Sequence, residues 1–278
     1  MATPFLSRIR IYPIKACAGV DVQEAHMDER GLRYDRRWML INDHGSDLHQ
    51  FDYPRLASVV VALDEDHLVL SAPAMPSLRI SLQAHIRPAQ PVAVRWHEGS
   101  CEAIPASDAA DAWFQAFLRV ACRLVFMPEG AEHRAGSKHA DHHALAAFTS
   151  FQYHLLSEGS LVDLNQRLET PVPLERFRPN LVVAGVPPFA EDAWRVLRIG
   201  EQQFQTVKPC DRCAITTVDP LRGVMTGKEP LTTLAHYRTF DHKVLFGQYL
   251  LSGETGVLRV GDRLEVVDVQ KPPRRSQA

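Results

Sequence analysis

Residues 56–82 read "LASVVVALDEDHLVLSAPAMPSLRISL" and contain three short apolar runs, separated by an acidic turn and by a proline-containing turn. Apolar and polar residues alternate in these runs, which is the period of a half-buried β-strand. Short strands that follow one another at this spacing are typical of an antiparallel barrel or sandwich. The stretch therefore predicts three antiparallel strands in a mainly β protein.

The same pattern extends over residues 5–96, where further strand-like runs include "FLSRIRIY", "RWMLIND" and "PVAVRW". The period then changes in "SDAADAWFQAFLRV", residues 107–120, which predicts a helix with Ser107 as its N-cap. We expect its apolar stripe to comprise Ala112, Phe114, Phe117 and Leu118. Residues 1–127 are thus predicted to form a first domain, an antiparallel barrel or sandwich closed by one helix.

A polar stretch at 128–145 without a clear period predicts an exposed loop that joins this domain to a second one. Beyond it, we expect a strand running into a helix near 158–168, and a short buried strand in "RPNLVVAG". Further strands are predicted in "WRVLRIGEQQFQTV", "CAITTVD", "VMTG", "KVLFGQYLL" and "GVLRVGDRLEVVDV", with a short helix in "EPLTTLAHYRTF". The second domain spans 128–270, and residues 271–278 form a basic tail that is predicted to be disordered. The fold class is mainly β, of the α+β type.

The overall charge and the cysteine usage restrict the class of protein. The chain of 278 residues has 31 Lys and Arg against 33 Asp and Glu, so no global basic field attracts nucleic acid or an anionic membrane. No segment approaches the ~18 apolar residues of a membrane helix, and no signal-peptide pattern opens the sequence. Five cysteines without framework spacing indicate free thiols in a reducing compartment. We therefore expect a cytoplasmic location.

Residues 207–220, "VKPCDRCAITTVDP", contain the cysteine pair Cys210 and Cys213 in the spacing C-x-x-C. A redox dithiol usually opens a helix, but the β-branched residues that follow favour a strand. A zinc site needs more ligands than the two cysteines. His133, His139, His142 and His143 could in principle supply them, but a polar loop rich in histidine is more typical of a solvated segment. The third alternative is one thiolate that binds a metal whose other ligands come from a cofactor. The residues alone leave all three open.

Several motifs in the same order resemble one known family. "KPCDRCAITTVDP", "LFGQY" and "LRVGDRLEV" are similar to the MOSC domain, named for the carboxyl-terminal region of molybdenum cofactor sulfurases. "IRIYPIKACAGVDVQEA", "GLRYDRRWMLIN", "LSEGSLVDLNQRL" and "FRPNLVVAG" resemble the branch that contains the mitochondrial amidoxime reducing component and its bacterial relatives. The likeness covers roughly residues 5–268. It implies an amino-terminal MOSC β-barrel domain, a MOSC β-barrel domain with a few peripheral helices, and a cofactor in the cleft between them.

The resemblance also implies a molybdenum cofactor, molybdopterin with its metal, and a set of residues that bind it. Cys213 falls on the metal ligand, at the catalytic centre. The cofactor contacts fall on Lys15, Arg36, Thr149, Ser150, Arg178, Asn180, Asp211, Arg212 and Tyr249. Lysine and arginine suit the cofactor's phosphate, which arginine can bind through two oxygens. Two positions depart from the family pattern: Ala16 replaces a serine, and Phe151 does not fit.

The function implied by the resemblance is the reduction of N-hydroxylated small molecules, such as amidoximes, hydroxylamines or N-hydroxylated bases, by oxygen-atom removal at molybdenum. Because no iron–sulfur cysteine pattern is present, the electrons are expected from a separate donor protein of flavin, ferredoxin or cytochrome type. A monomer is expected. The alternative is a carrier that holds the molybdenum cofactor, or sulfur on a cysteine, and passes it on without turning over a substrate.

Overall fold

The computed structural model of the chain describes residues 3–83, 90–136 and 144–273. Strands dominate these ranges, and the mainly β fold class is confirmed. Part of the predicted loop, with His139, His142 and His143, lies outside the described residues. Residues 274–278 of the predicted tail also lie outside them.

The three strands predicted in residues 56–82 are present. A 3₁₀ turn at Pro54–Ser58 leads into β6 (Val60–Leu63), which pairs with β7 (His67–Ser71), and β7 pairs with β8 (Leu78–Ser81). Both pairings are antiparallel, so this segment is the expected meander. Its buried side chains, which include Leu68, Leu70 and Ile80, belong to one core with Trp38 and Phe114.

A second sheet completes this region. It runs in the order β5 (Trp38–Ile41), β11 (Arg123–Phe126), β10 (Gly99–Pro105) and β9 (Val92–Trp96). Helix α1 (Asp108–Leu118) packs beside it, and the Ser107 hydroxyl caps the helix by accepting from the Ala110 N–H. Its buried face comprises Ala110, Trp113, Phe114 and Phe117. The predicted stripe was partly wrong, because Ala112 is exposed. The helix instead buries the face that carries Trp113, whose indole N–H donates to the Pro76 carbonyl.

Across the ranges 3–83, 90–136 and 144–273, the largest sheet contains nine strands and draws them from both ends of the chain. Its order is β2 (Val20–Val22), β1 (Phe5–Ile11), β13 (Leu181–Ala184), β12 (Tyr153–Ser157), β19 (Lys243–Leu251), β15 (Gln202–Asp211), β14 (Trp194–Ile199) and β21 (Leu264–Val269), with β18 (Thr239–Phe240) pairing β19 at the side. Strands β12 and β13 are parallel, and α2 (Glu158–Arg167) makes the crossover between them, close to its predicted position.

Strand pairing crosses the predicted boundary between residues 127 and 128. Strand β1 pairs with β13, and β3 (Glu24–Asp28) pairs with β20 (Gly256–Arg259) as well as with β4 (Gly31–Leu32). Leu6 and Ala25 accordingly share one buried cluster with Leu181, Phe204 and Leu258. The two predicted domain limits remain predictions, but β1 and β2 are part of the large sheet, and side chains of β3 and β4 share its core.

The segment after Cys213 corrects one expectation. The strand predicted in "CAITTVD" is instead a 3₁₀ turn at Ala214–Thr217, followed by the short β16 (Val218–Asp219), which pairs with β17 (Val224–Met225). The Thr216 hydroxyl donates to the Cys213 carbonyl and the Thr217 hydroxyl to the Ala214 carbonyl. These local bonds replace a strand ladder, which is the way threonine competes with regular structure.

The remaining helix, α3 (Leu231–Arg238), lies where a short helix was predicted. None of the helices within the part of the chain that is described is long and apolar enough to cross a membrane.

Candidate active site

A cleft of about 400 Å³ opens between segments of the amino-terminal region and the carboxyl-terminal half of the chain. All the residues predicted for the site line this one cleft: Lys15, Arg36, Thr149, Ser150, Arg178, Asn180, Asp211, Arg212, Cys213 and Tyr249. Lys15 and Cys213, which come from opposite ends of the sequence, therefore face the same space. The residues predicted for the site thus lie together in the structure, while the role of each one stays a prediction.

The two cysteines of the C-x-x-C pair have opposite environments. Cys210 lies near the end of β15 and is fully buried, whereas Cys213 is exposed in the cleft. The Arg212 Nη1 atom donates to the Cys210 sulfur at 2.9 Å, and the Tyr249 side chain hydrogen-bonds to the same sulfur. Burial raises the pKa of the Cys210 thiol despite the nearby arginine. Only Cys213 offers an accessible sulfur, which sets the pair apart from a symmetrical dithiol.

The 3₁₀ turn at Ala214–Thr217 fixes the position of Cys213. Both the backbone N–H and the hydroxyl of Thr216 donate to the Cys213 carbonyl, at 3.1 and 3.0 Å. Thr216 is buried, as is Thr217. The thiol is thus presented from a turn whose backbone is held by buried hydroxyl groups.

The two predicted cations of the amino-terminal region already have carboxylate partners. Lys15 Nζ lies 2.9 Å from the Asp47 carboxylate and 3.5 Å from that of Glu98. Arg36 Nη1 pairs with Asp35 and donates to Asn180 Oδ1 at 2.9 Å. Although burial favours the neutral acid, hydrogen bonds from His49 and Lys15 hold the pKa of Asp47 below its usual value. These partners orient Lys15 and Arg36 but also neutralise them.

Three other arginines in the cleft lack such partners. Arg178 Nη1 donates to the Cys17 carbonyl at 2.6 Å, and Arg212 Nη2 to the Phe177 carbonyl at 2.7 Å. Arg176 contacts only the Thr216 carbonyl and the Thr226 hydroxyl. Within the described ranges, no carboxylate lies within 4 Å of these three guanidinium groups. The excess positive charge therefore sits on Arg176, Arg178 and Arg212.

The charge on Arg178 is held at an electrostatic cost. Burial, together with the positive charge of Arg36, lowers the pKa of Arg178 to about 10. Its guanidinium lies 4.2 Å from the centroid of the Tyr12 ring, and that of Arg36 lies 4.6 Å from the same ring. A bound anion would remove this cost, since an opposite charge favours the charged form of a base. The cleft is thus suited to an anionic ligand.

Strained backbone occurs at three positions that line the cleft. Ala16, Arg36 and Arg178 have φ angles of 71°, 49° and 55°, in the left-handed region that non-glycine residues rarely adopt. Such residues cost of order 1 kcal/mol each and cluster at functional sites. The strain indicates that the positions of Arg36 and Arg178 are imposed by the surrounding structure.

An aromatic wall closes one side of the cleft. The Phe151 and Tyr249 rings are stacked, with centroids 4.7 Å apart, and Lys208 Nζ lies 5.8 and 5.9 Å from the two rings. Lys208 also pairs with Asp211, which in turn pairs with Lys243. Phe151 departs from the family pattern, yet it lines the cleft. Its signal in the sequence was an aromatic residue next to the two predicted contacts Thr149 and Ser150.

A buried histidine was not anticipated from the sequence. His154 lies in β12, lines the cleft and is almost fully buried, and its backbone N–H donates to Asn180 Oδ1. Burial, reinforced by the charge of Arg212, lowers the pKa of His154 well below its usual value, so the ring is neutral at physiological pH. Gly247, in the "LFGQY" motif, has a φ angle of +83°, and a Cβ there would lie 2.4 Å from His154 Nε2. The motif's glycine is thus explained by contact with His154.

The described residues do not contain a set of ligands for the zinc alternative. His133 Nε2 lies 3.0 Å from the Thr149 carbonyl oxygen and its ring packs on Trp96. No group of three or more His, Cys, Asp and Glu side chains suited to a metal ion occurs among residues 3–83, 90–136 and 144–273. His133 therefore supports the backbone of a predicted cleft residue.

Comparison with family models identifies the class of protein that this fold and cleft define. The model of the MOSC N-terminal beta barrel domain matches residues 3–121, and that of the MOSC domain matches residues 136–265. The chain is therefore a two-domain MOSC protein.

Individual relatives define the family more closely. The chain is 36% identical to mitochondrial amidoxime reducing component 2 of Rattus norvegicus over 283 residues, covering 92% of this chain and 81% of that protein. It is also 36% identical to mitochondrial amidoxime-reducing component 1 of Homo sapiens, with the same coverage. A solution structure from Bordetella bronchiseptica matches with a TM-score of 0.37 at 28% identity, over 45% of this chain and 93% of that one. By its relatives at this identity and coverage, the chain belongs to the amidoxime reducing component family.

Proposed function

We propose that the protein is a molybdenum-cofactor-dependent oxidoreductase that reduces N-hydroxylated small molecules, with Cys213 as the ligand of molybdenum. One observation carries the proposal: the only exposed cysteine of the C-x-x-C pair opens into a cleft that also contains three arginines without carboxylate partners. Family membership supplies the chemistry, because its relatives are named for the reduction of amidoximes.

The donor set of the cleft fits the proposed cofactor. A thiolate is a ligand for a soft metal, and Cys213 supplies one accessible sulfur. Arg178 and Arg212 offer uncompensated guanidinium groups for a phosphate, and the buried Nε atom of Arg212 has no hydrogen-bond partner. Asn180 and the segment at Thr149 and Ser150 add polar contacts. When bound, the cofactor supplies a redox-active molybdenum centre at which the N–O bond is reduced.

The residues of the chain contribute position and charge. Cys213 would hold the metal in the cleft, and the buried Thr216 holds the turn from which the Cys213 thiol is presented. Arg178 and Arg212 would neutralise the anionic groups of the cofactor, and Asp35 and Asn180 hold Arg36 in place. The Phe151–Tyr249 wall excludes water from one side. No side chain is assigned as a general acid.

The reaction needs two electrons and two protons from outside the chain: R–NH–OH + 2 H⁺ + 2 e⁻ gives R–NH₂ + H₂O. We propose a separate electron-donor protein of flavin, ferredoxin or cytochrome type as their source. We also propose a cytoplasmic location, which is supported by the five free cysteines.

The test is metal content and turnover after expression in a host that makes the cofactor. We expect about one molybdenum per chain, and benzamidoxime reduction with a chemical electron donor. Cys213→Ser should lose molybdenum and activity, whereas Cys210→Ser, the matched control three residues away, should keep the metal because Cys210 faces the interior.

The possible outcomes separate the alternatives. Equal loss of metal in both cysteine variants, or zinc in place of molybdenum, would contradict the proposed ligand. Fully loaded protein that reduces no N-hydroxylated compound would favour a carrier of the cofactor.

A further inference from the structure

A second cavity, of about 360 Å³, lies next to the cleft and has no role in the proposed reaction. The two spaces share a wall made of Gln50, Arg176, Arg178 and Ile215. The other lining residues come from both halves of the chain: Arg10, Tyr12, Ala18, Gly19, Ala57, Ser58, Val60, Pro173, Glu175, Val218, Pro220 and Leu221. Its volume falls in the range of small-molecule sites.

Three residues that line the cavity carry buried hydrogen-bond donors without an acceptor among the described residues. Arg10 Nε, Tyr12 Oη and Arg176 Nε are buried and make no hydrogen bond with the described part of the protein. Tyr12 is 1% exposed, so bulk solvent does not satisfy its hydroxyl group. Buried donors without an acceptor are unfavourable and rare. An acceptor supplied by a ligand would satisfy them.

Gly19 packs closely against two of these donor side chains. A Cβ at position 19 would lie 2.6 Å from the Tyr12 ring and 2.7 Å from Arg10 Nε. Any side chain there would therefore collide with both donors' side chains. The glycine is explained by this close approach.

The charges of the lining favour an anion. Arg10, Arg176 and Arg178 are cationic, and Glu175 is the only acid that lines the cavity among the described residues. Glu175 is already bound by Arg8 and Arg10, at 2.7 and 3.3 Å, and Arg10 also pairs with the Asp21 carboxylate at 2.9 Å. Two arginines of the lining are therefore left without a carboxylate, and a ligand carboxylate would match their geometry.

Another group of lining residues is apolar and reaches the surface. Val60 is 53% exposed and Leu221, in the connection between β16 and β17, is 86% exposed. Pro173, Val218 and Pro220 add further apolar lining, and of these Val218 is buried. Exposed apolar side chains that border a cavity are typical of a ligand site.

We propose that this cavity binds a small organic monocarboxylate with an apolar alkyl or aryl body. The carboxylate accepts from the three buried donors without a partner, which are Arg10 Nε, the Tyr12 hydroxyl and Arg176 Nε, and the body lies against Val60 and Leu221. Ile215, in the turn that carries Cys213, forms part of the wall, so the occupant also contacts the segment that supports the metal ligand. The inference does not rest on the proposed reductase activity, because its three donors, Arg10 Nε, the Tyr12 hydroxyl and Arg176 Nε, all belong to residues that line the second cavity, although Arg176 also borders the cleft.

Binding of octanoate to the full-length protein, measured by isothermal titration calorimetry, tests the proposal. We expect saturable binding with one site per chain. Octanol, which lacks the carboxylate, and acetate, which lacks the body, should each bind at least about tenfold more weakly. Absence of saturable octanoate binding, or equal binding of octanol, would overturn the proposal.

Two variants locate the bound probe. Val60→Trp should fill the mouth and weaken octanoate binding by at least about tenfold. Val162→Trp is the matched control, because Val162 is 54% exposed on α2 and does not line the cavity; it should bind like the wild type. Tyr12→Phe should weaken binding several-fold without altering molybdenum content. Unchanged binding in Val60→Trp would place the probe elsewhere and contradict the inference, whatever the outcome for the reductase.

Discussion

The sulfur of Cys210 lies beneath the cleft, where Arg212 and Tyr249 both contact it, and the sulfur of Cys213 lies on the cleft surface. Reactivity of a thiol depends on access and on the fraction of thiolate. Burial denies Cys210 access and raises its pKa, so the reagent-accessible thiol is Cys213. Arg212, which also lines the cleft, donates to the inner sulfur through Nη1 and to the Phe177 carbonyl through Nη2.

This difference predicts the order of alkylation. Iodoacetamide at pH 8 should modify Cys213 first in the cofactor-free protein, because burial raises the pKa of Cys17 and Cys122 to about 12 and that of Cys101 to about 11. Cys210 should react only after unfolding. Peptide mapping by mass spectrometry measures the order, and Cys213→Ser should leave the native protein almost unlabelled. Labelling of Cys210 at the rate of Cys213 would contradict the assigned burial.

At the level of single residues, the sequence motifs located the cleft but not its charge balance. Lys15 and Arg36 were predicted as cofactor contacts, and only the structure shows that Asp47, Glu98 and Asp35 neutralise them. Arg176 was missed although it stands two positions before Arg178, because an arginine next to a loop is usually a solvated surface residue. A sequence does not reveal which charges are paired, since the partners are distant along the chain.

At the level of elements, the site depends on two local conformations that residue propensity did not predict. The β-branched residues after Cys213 favoured a strand, but the hydroxyls of Thr216 and Thr217 bond to nearby carbonyls and hold a 3₁₀ turn. Strand β19 makes a close contact with β12 at Gly247, where His154 occupies the space of a side chain. The meander at β6, β7 and β8 was predictable, because its pairing is local and its alternation is regular.

The contact at Gly247 makes a prediction about stability. Gly247→Ala should lower the free energy of unfolding by at least ~2 kcal/mol, because alanine is strained at a φ of +83° and its Cβ would overlap His154 Nε2 and the Leu155 carbonyl. Gly253→Ala is the control: nothing lies within 4 Å of a Cβ there, so the change should stay within about 0.5 kcal/mol. Urea denaturation followed by circular dichroism measures both free energies of unfolding. Equal stability of the two variants would contradict the prediction, because it would mean that His154 moves away from residue 247 at little cost.

At the level of the whole molecule, strands that are neighbours in a sheet often come from distant parts of the sequence. The predicted domains meet at residues 127 and 128, but β1 and β2 form one end of the nine-stranded sheet, and β3 pairs with β20. Long-range pairing of this kind is invisible to patterns within a single strand, because alternation fixes which face of a strand is buried and leaves its partner open. The same arrangement brings Lys15 and Arg36 to the cleft that holds Cys213.

This interlocking predicts that the two predicted domains do not fold independently. Residues 128–278 expressed alone would expose the edge of β13 that β1 covers, and would leave Leu181, Phe204 and Leu258 without Leu6 and Ala25. An uncovered edge and an open core favour aggregation over folding. We expect this fragment to be insoluble or to lack a cooperative thermal transition. A fragment of residues 1–127 would in turn lack β13 and β20, the partners of β1 and β3. The full chain should instead unfold in one transition when followed by circular dichroism and by tryptophan fluorescence, and co-expression of the two fragments should restore soluble, associated protein. A soluble 128–278 fragment with a cooperative transition of its own would show that the strands shared across the boundary are dispensable for folding.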